Sequence, residues 1–81
     1  MIARVQLFAL ARQLAETEFI ELTLAPGATV GELRQALAKS HPKLAHLLPH
    51  VLFAVNSEYA GDENSIPSGA AIACIPPVSG G

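Results

Sequence analysis

Hydrophobic and polar positions alternate from the first residues of the chain. In Ile2-Ala3-Arg4-Val5-Gln6-Leu7-Phe8, Ala3, Val5 and Leu7 share one face while Arg4 and Gln6 share the other, the two-residue period of a half-buried strand. After Phe8 the period lengthens. Leu7, Leu10 and Leu14 recur at i, i+3 and i+7 with Arg12, Gln13 and Glu16 interleaved, which predicts a short helix. Ile20, Leu22 and Leu24 then alternate with Phe19, Glu21 and Thr23, predicting a second strand that stops at Pro26-Gly27. Thr29-Val30-Gly31-Glu32 has the spacing of a capping box, and Val30, Leu33 and Leu37 continue as an apolar stripe. A helix of about ten residues follows, ending near Ser40-His41 because Pro42 disfavours helical geometry in the residue before it. Pro42 can itself open a short further helical piece carrying Leu44, Leu47 and Leu48 as far as Pro49.

The wholly apolar run Val51-Leu52-Phe53-Ala54-Val55 reads as a buried strand, and Asn56-Ser57 as a tight turn into a brief strand, Glu58-Tyr59-Ala60. Residues 61–69 are polar and turn-rich, a surface loop; Ala70 to Ile75 is the last strand. This order sets one main helix between a first hairpin-like pair and the later strands, an α+β fold whose sheet is covered on one side.

Composition narrows the picture. A chain of 81 residues is one domain, able to bury only around 60–65% of its unfolded surface. With 51% hydrophobic residues, some apolar surface should remain exposed as a patch for a partner. Arg4, Arg12, Glu16, Glu18 and Glu21 interrupt every early apolar run well short of the ~20 residues of a membrane span, and no signal peptide is legible. The five Lys and Arg are scattered through a chain of net charge −2, so nucleic acid is not an expected partner. A single cysteine, Cys74, excludes an internal disulfide framework and fits a reducing cytoplasm.

The candidate chemistry lies at the end of the chain. Pro76 and Pro77 fix φ and lack N–H groups, so they end sheet pairing and favour an extended exit. Val78 and Ser79 are small, and Gly80 and Gly81 have no Cβ, so a terminal carboxylate could pass through a narrow channel. From Pro76 to Gly81 the extended reach is about 20 Å. No side chain from Asn64 to Gly81 is charged, so threading this stretch into another protein costs little desolvation until the carboxylate arrives. A Gly-Gly end alone is ordinarily a frayed terminus. Here it follows a strand and a stiff lead-in, in a chain with no other reactive constellation. The chain accordingly divides into a domain over residues 1–75 and an extended, flexible tail over 76–81.

Other candidates have blander readings. His46 and His50 are four apart, but Pro49 intervenes and no cysteine or carboxylate stands near in sequence, so no metal site is expected at His41, His46 or His50. Glu58, Asp62 and Glu63 do not match a calcium loop. Cys74 alternates with Ile72 and reads as an inert buried thiol. No phosphate-cradling glycine motif and no Ser/His/Asp set occurs. A free carboxylate is a poor electrophile, so any chemistry at Gly81 needs a partner that activates it with ATP.

Three stretches together resemble the molybdopterin synthase small subunits, a family of ubiquitin-like sulfur carriers. Phe8-Ala9-Leu10-Ala11-Arg12-Gln13-Leu14 is similar to that family's Phe-Ala-x-x-Arg-x-Leu, Ala54-Val55-Asn56 to its Ala-Val-Asn turn, and Pro76-Pro77-Val78-Ser79-Gly80-Gly81 to its ending. The last match is the specific one. The resemblance implies a β-grasp fold, a mixed sheet packed on one main helix. It implies that an E1-like adenylating enzyme activates Gly81 with ATP, that a sulfur donor converts it to a thiocarboxylate, and that Pro76, Pro77, Val78, Ser79 and Gly80 enter a large subunit. There the sulfur passes to a pterin precursor of the molybdenum cofactor. The chain itself binds no cofactor on this view; it is a carrier, and catalysis belongs to its partners. Two departures stand out: Ser68-Gly69-Ala70-Ala71 occupies the place of the family's acidic Asp-Gly-Asp-Glu, and Cys74-Ile75 that of an aromatic pair, which predicts a smaller apolar docking surface. Alternatives at this stage are a carrier for thiamine or tRNA thiolation, a protein modifier joined to lysines through Gly81, and a binding module with an inert tail.

Overall fold

A computed structural model describes residues 1–77. The alternating start of the chain forms β1 (Ile2–Leu7) with Ala3, Val5 and Leu7 buried, and the next alternating run forms β2 (Phe19–Thr23) with Ile20 buried. Between them lies α1 (Ala9–Ala15), and after them α2 (Val30–Ser40), the main helix. The later strands are β3 (Leu52–Val55), β4 (Glu58–Ala60) and β5 (Ala71–Ile75). The five strands make one sheet in the order β2-β1-β5-β3-β4. Every neighbouring pair is antiparallel except β1 and β5, which run parallel with Val5 opposite Ile72 and Leu7 opposite Cys74. This is the β-grasp arrangement, and it is α+β as expected. Among the described residues no helix is long and apolar enough to cross a membrane.

The start of α2 is fixed by its own sequence. Thr29 Oγ1 accepts from Glu32 N at 3.2 Å, and Glu32 Oε1 accepts from Thr29 N at 2.9 Å, the reciprocal capping box. Val30, Leu33 and Leu37 are wholly buried and press the helix onto one face of the sheet, where they join Val5, Leu7, Phe53 and Ile72 in the core. The Asn56-Ser57 turn is equally local. Both residues have positive φ, 51° and 69°, as a two-residue hairpin of primed type requires, and asparagine tolerates that region. Asn56 also ties the hairpin to the next strand: its N donates to Ala71 O at 2.8 Å and its Oδ1 accepts from Ala71 N at 3.0 Å.

Elsewhere tertiary packing overrides the sequence pattern. The stripe Leu7-Leu10-Leu14 is not the buried face of α1: Leu10 is 46% exposed, and the fully buried residue is Ala11. The helix begins through Ala9 at φ 50°, a kink that rotates it after β1, and it packs on β5 and the turn at residue 42 with Ala11 as its buried residue. The helical piece expected from Pro42 to Pro49 is two separate 3₁₀ turns, Pro42–Leu44 and Leu48–His50, and Pro49 lies inside the second rather than ending the first. A 3₁₀ turn accepts proline early because the missing N–H is one that the turn leaves unpaired. Leu44 and Leu48 are buried, Leu47 only partly. The loop at 61–69 is not all surface either. Ile66 is buried, its N donates to Ala28 O at 2.8 Å, and Thr29 and Ser65 form an isolated bridge.

One side chain joins these irregular parts. Arg34, on α2, donates to the carbonyls of Leu48 and of Val51, the latter at 2.8 Å, pairs with Asp62 Oδ1 at 2.9 Å, and lies 5.0 Å from the centre of the Phe53 ring. It closes the end of the second 3₁₀ turn where β3 begins and pins the 61–69 loop to the helix. Replacing it takes the side-chain donor from Val51 O and leaves Leu48 O only the 3.3 Å bond from Val51 N, so Arg34→Met should lower unfolding stability by about 2 kcal/mol in urea titration, and Asp62→Asn, which leaves both Arg34 bonds in place, by less than about 1 kcal/mol. Equal losses would place the stabilisation in the ion pair instead.

Candidate functional site

Because side chains on a strand alternate between faces, the sheet has a second face opposite α2, and its residues can be read from the register. On β1 this face carries Ile2, Arg4 and Gln6; on β5, Ala71, Ala73 and Ile75; on β3, Leu52 and Ala54. Ala73 stands between Gln6 and Ala54, and Ala54 is paired with Tyr59 on β4. Phe8 continues the outward parity of β1: its backbone is extended and its N–H donates to Cys74 O at 3.2 Å. Phe8 and Ile75 are thus neighbours, and Leu52 is paired with Ile75 on the other side. The row Phe8, Ile75, Leu52 and the adjoining Ala73, Ala54 and Tyr59 form an apolar surface, with Leu52 56% and Tyr59 71% exposed. A charged margin borders it along β2, where Arg4 faces Glu21 across the strands and its guanidinium lies 4.0 Å from the centre of the Phe19 ring.

The tail begins at one end of this surface, beyond the row Phe8, Ile75, Leu52. β5 is hydrogen-bonded to β1 on one side and β3 on the other, so Ile75, Pro76 and Pro77 leave the sheet from its centre rather than from an edge. Pro76 is buried and Pro77 exposed. Val78, Ser79, Gly80 and Gly81, which the sequence assigns to the tail and its reacting carboxylate, lie outside the described residues.

Of the six residues assigned to the tail, then, Pro76 and Pro77 are seen at the root, Pro76 turned towards the domain. An exposed apolar patch of the kind composition suggests is present, made by Phe8, Leu52 and Tyr59, none of which the sequence pattern marks for it. Phe8 closes the first alternating run where the period changes, and Leu52 stands in a run that is apolar on both sides. An apolar residue at the outward parity of a strand is the signal that identifies them. Of Cys74 and Ile75, Cys74 points into the core and only Ile75 stands on the open face. Ser68-Gly69 forms a turn with Gly69 at φ 76°, and Ala71 begins β5 without a charge.

His46 and His50 are exposed, His41 Nδ1 lies 2.8 Å from Ser40 Oγ, and among the described residues no three His, Cys, Asp or Glu side chains are grouped to hold a metal. Asp62 is used by Arg34. The Cys74 thiol is fully buried, and burial pushes it up to about 11 against the smaller opposing pull of the Arg34 guanidinium.

Comparison with known proteins gives a consistent set. Residues 5–81 match the ThiS family. The chain is 32% identical over 80 residues to a molybdopterin synthase sulfur carrier subunit of Chlamydomonas reinhardtii, covering 96% of each. It superposes on SAMP1, a small archaeal modifier protein of Haloferax volcanii, with a TM-score of 0.87 at 28% identity over the whole of both chains. A Helicobacter pylori chain from a complex of subunits 1 and 2 of molybdopterin-converting factor shares the fold, with a TM-score of 0.69 at 22% identity and full coverage of both.

The thiol supplies a test of the core beneath the tail root. Its protonated form is favoured in the folded state, so the stability it contributes is intact below the unfolded value of 9.0 and is lost as pH rises through about 11. Urea midpoints should fall more steeply between these limits for the parent chain than for Cys74→Ala. Parallel slopes would mean that the thiol is not held in the core.

Proposed function

The chain belongs to the ThiS family, alongside the molybdopterin synthase sulfur carrier subunits, and from that membership we propose that it carries sulfur on the carboxyl group of Gly81 for delivery to a pterin precursor of the molybdenum cofactor. The observation that carries this reading is the position of the tail root: the uncharged stretch starts from the end of the central strand, beside the apolar residues Phe8, Leu52 and Ile75, so a partner that docks on them also receives it.

The chemistry divides between two partners. An adenylating, E1-like enzyme holds Gly81 against ATP; a carboxylate oxygen attacks the α-phosphorus, pyrophosphate leaves, and the carboxyl becomes an acyl adenylate. A sulfur nucleophile at the oxidation level of sulfide attacks the carbonyl carbon, and AMP leaves with the electron pair of the broken C–O bond. The product is a thiocarboxylate. In the large subunit its sulfur attacks a precursor carbon and displaces an oxygen leaving group, which departs with the electron pair of the broken C–O bond; water then attacks the Gly81 carbonyl, the sulfur leaves with the pair of the Gly81 C–S bond and stays on the precursor, and the carboxylate returns. This chain binds neither ATP nor the sulfur donor in any of these steps. Its own residues do the docking: Phe8, Leu52, Tyr59 and Ile75 supply apolar contact, and Pro77 to Gly80 supply a narrow, uncharged lead. The complex in which the Helicobacter pylori relative was solved supports a large-subunit partner. The lone buried thiol suits work in the reducing cytoplasm.

The likeness to SAMP1 favours a second reading, conjugation of Gly81 to lysines of other proteins. Both readings share the acyl adenylate and part at the nucleophile, sulfide or amine. Incubation with the activating enzyme, ATP and sulfide should give an intact mass shifted by exchange of one oxygen for sulfur, lost on deletion of Gly81 while the unfolding midpoint stays within about 1 °C, since a terminal glycine buries little. Leu52→Glu should weaken large-subunit binding at least tenfold, roughly the cost of placing a charge in an apolar contact. Heavier conjugates without the sulfur exchange would establish the modifier reading instead.

A further inference from the structure

The inward face of β5 does not end with its ladder. Ile72 and Cys74 are buried on that face, and the same alternation carries one residue past the last paired position, Ile75, to bury Pro76; Pro77 is exposed. Proline has no N–H to offer a ladder and a ring that fixes φ near −65°, so packing of the ring against the domain is what Pro76 can contribute. The second proline has the same stiffness but no such contact. In sequence the two are equivalent; in the fold they stand on opposite sides of the point where the chain leaves the domain.

We propose that Pro76 is the fixed root of the arm, a positioning residue that sets how far and in which direction Gly81 is delivered. This rests on the carrier reading above and deepens it. With Pro76 seated, five residues, Pro77 to Gly81, remain beyond the root, and a fully extended stretch of that length spans about 17 Å rather than the ~20 Å of six. Used at full reach, such a stretch has no slack. A tethered group reaches its site only when the tether spans the distance, and a shortfall of one residue, about 3.3 Å, takes the carboxylate out of attacking range. Lifting Pro76 out of its seat is the one way for this chain to give up another residue of length at the root. Pro77, already free, has none to give.

The rate of Gly81 thiocarboxylation at saturating chain, followed by intact mass with activating enzyme, ATP and sulfide, tests this through a shortened arm. Deletion of Val78 should lower the rate about tenfold or more with the concentration for half-saturation changed less than about threefold, because the docking face is untouched. Adding Pro76→Gly to the deletion should recover about threefold, and Pro76→Ala less, since a smaller side chain still holds part of the seat; Pro77→Gly should recover nothing. Thermal unfolding of each variant confirms that the domain is intact, and Pro76→Ala serves if the glycine variant does not fold. Equal recovery from Pro76 and Pro77 substitutions, or none from either, would overturn the fixed root while leaving the carrier reading in place. If the unshortened chain takes up no sulfur from an enzyme that loads its own carrier, the carrier reading fails and the root proposal with it.

Discussion

The constraint on which the structure depends is the double pairing of β5. The last strand of the chain is hydrogen-bonded in parallel to the first and antiparallel to the third, so it occupies the centre of the sheet. Parallel neighbours cannot be joined by a tight turn and need a long connection. Here that connection is nearly the whole chain, including α2, whose buried stripe covers one face of the strands it joins. A central strand also has its backbone satisfied on both sides, which leaves the two faces to differ only through side chains. Inward it places Ile72 and Cys74 in the core; outward it places Ala71, Ala73 and Ile75 on the open face.

From that arrangement the functional geometry follows. A chain that ended on an edge strand would trail its terminus along the rim of the sheet. Ending on the central strand brings it out between β1 and β3, next to the apolar side chains of Phe8 and Leu52. Small side chains at Ala54 and Ala73 keep the middle of the open face low, and Arg4 and Glu21 mark one side of it. In the proposed function, binding by the domain and delivery by the tail thus take place side by side. The left-handed kink at Ala9 contributes to the same end: it turns the chain into α1 only after Phe8 has taken the outward position of a strand, at a local cost of about 1 kcal/mol.

Much of this was legible where the controlling contacts are near in sequence. The capping box of α2 involves residues three apart, the Asn56-Ser57 turn is set by two φ values, and β1 and β2 alternate cleanly because one face of each meets the core and the other is open. Legibility ended where a residue's role depends on a distant partner. Nothing in the spacing of Leu7, Leu10 and Leu14 says that Ala11 will be the buried residue of α1, because that depends on how close β5 and the first 3₁₀ turn approach. Arg34 was an ordinary polar position on a helix until the fold brought Leu48, Val51 and Asp62 to it. The same holds for the open face: Leu52 gains its meaning from Ile75, which is 23 residues away in sequence. The tail's lack of charge and its two terminal glycines are plain in the sequence, but the unlike settings of Pro76 and Pro77 belong to the fold.

The central claim is that the last carboxyl group of the chain is the reacting group, and the most direct measurement is complementation with that group displaced but the domain unchanged. In cells lacking their own sulfur carrier, supplied with partner enzymes that accept this chain, the full sequence should restore activity of a molybdenum-cofactor-dependent enzyme, while the same sequence extended by one alanine after Gly81 should restore none. Equal restoration by the extended chain would contradict the account, because a carboxyl one residue further out would then serve as well as that of Gly81.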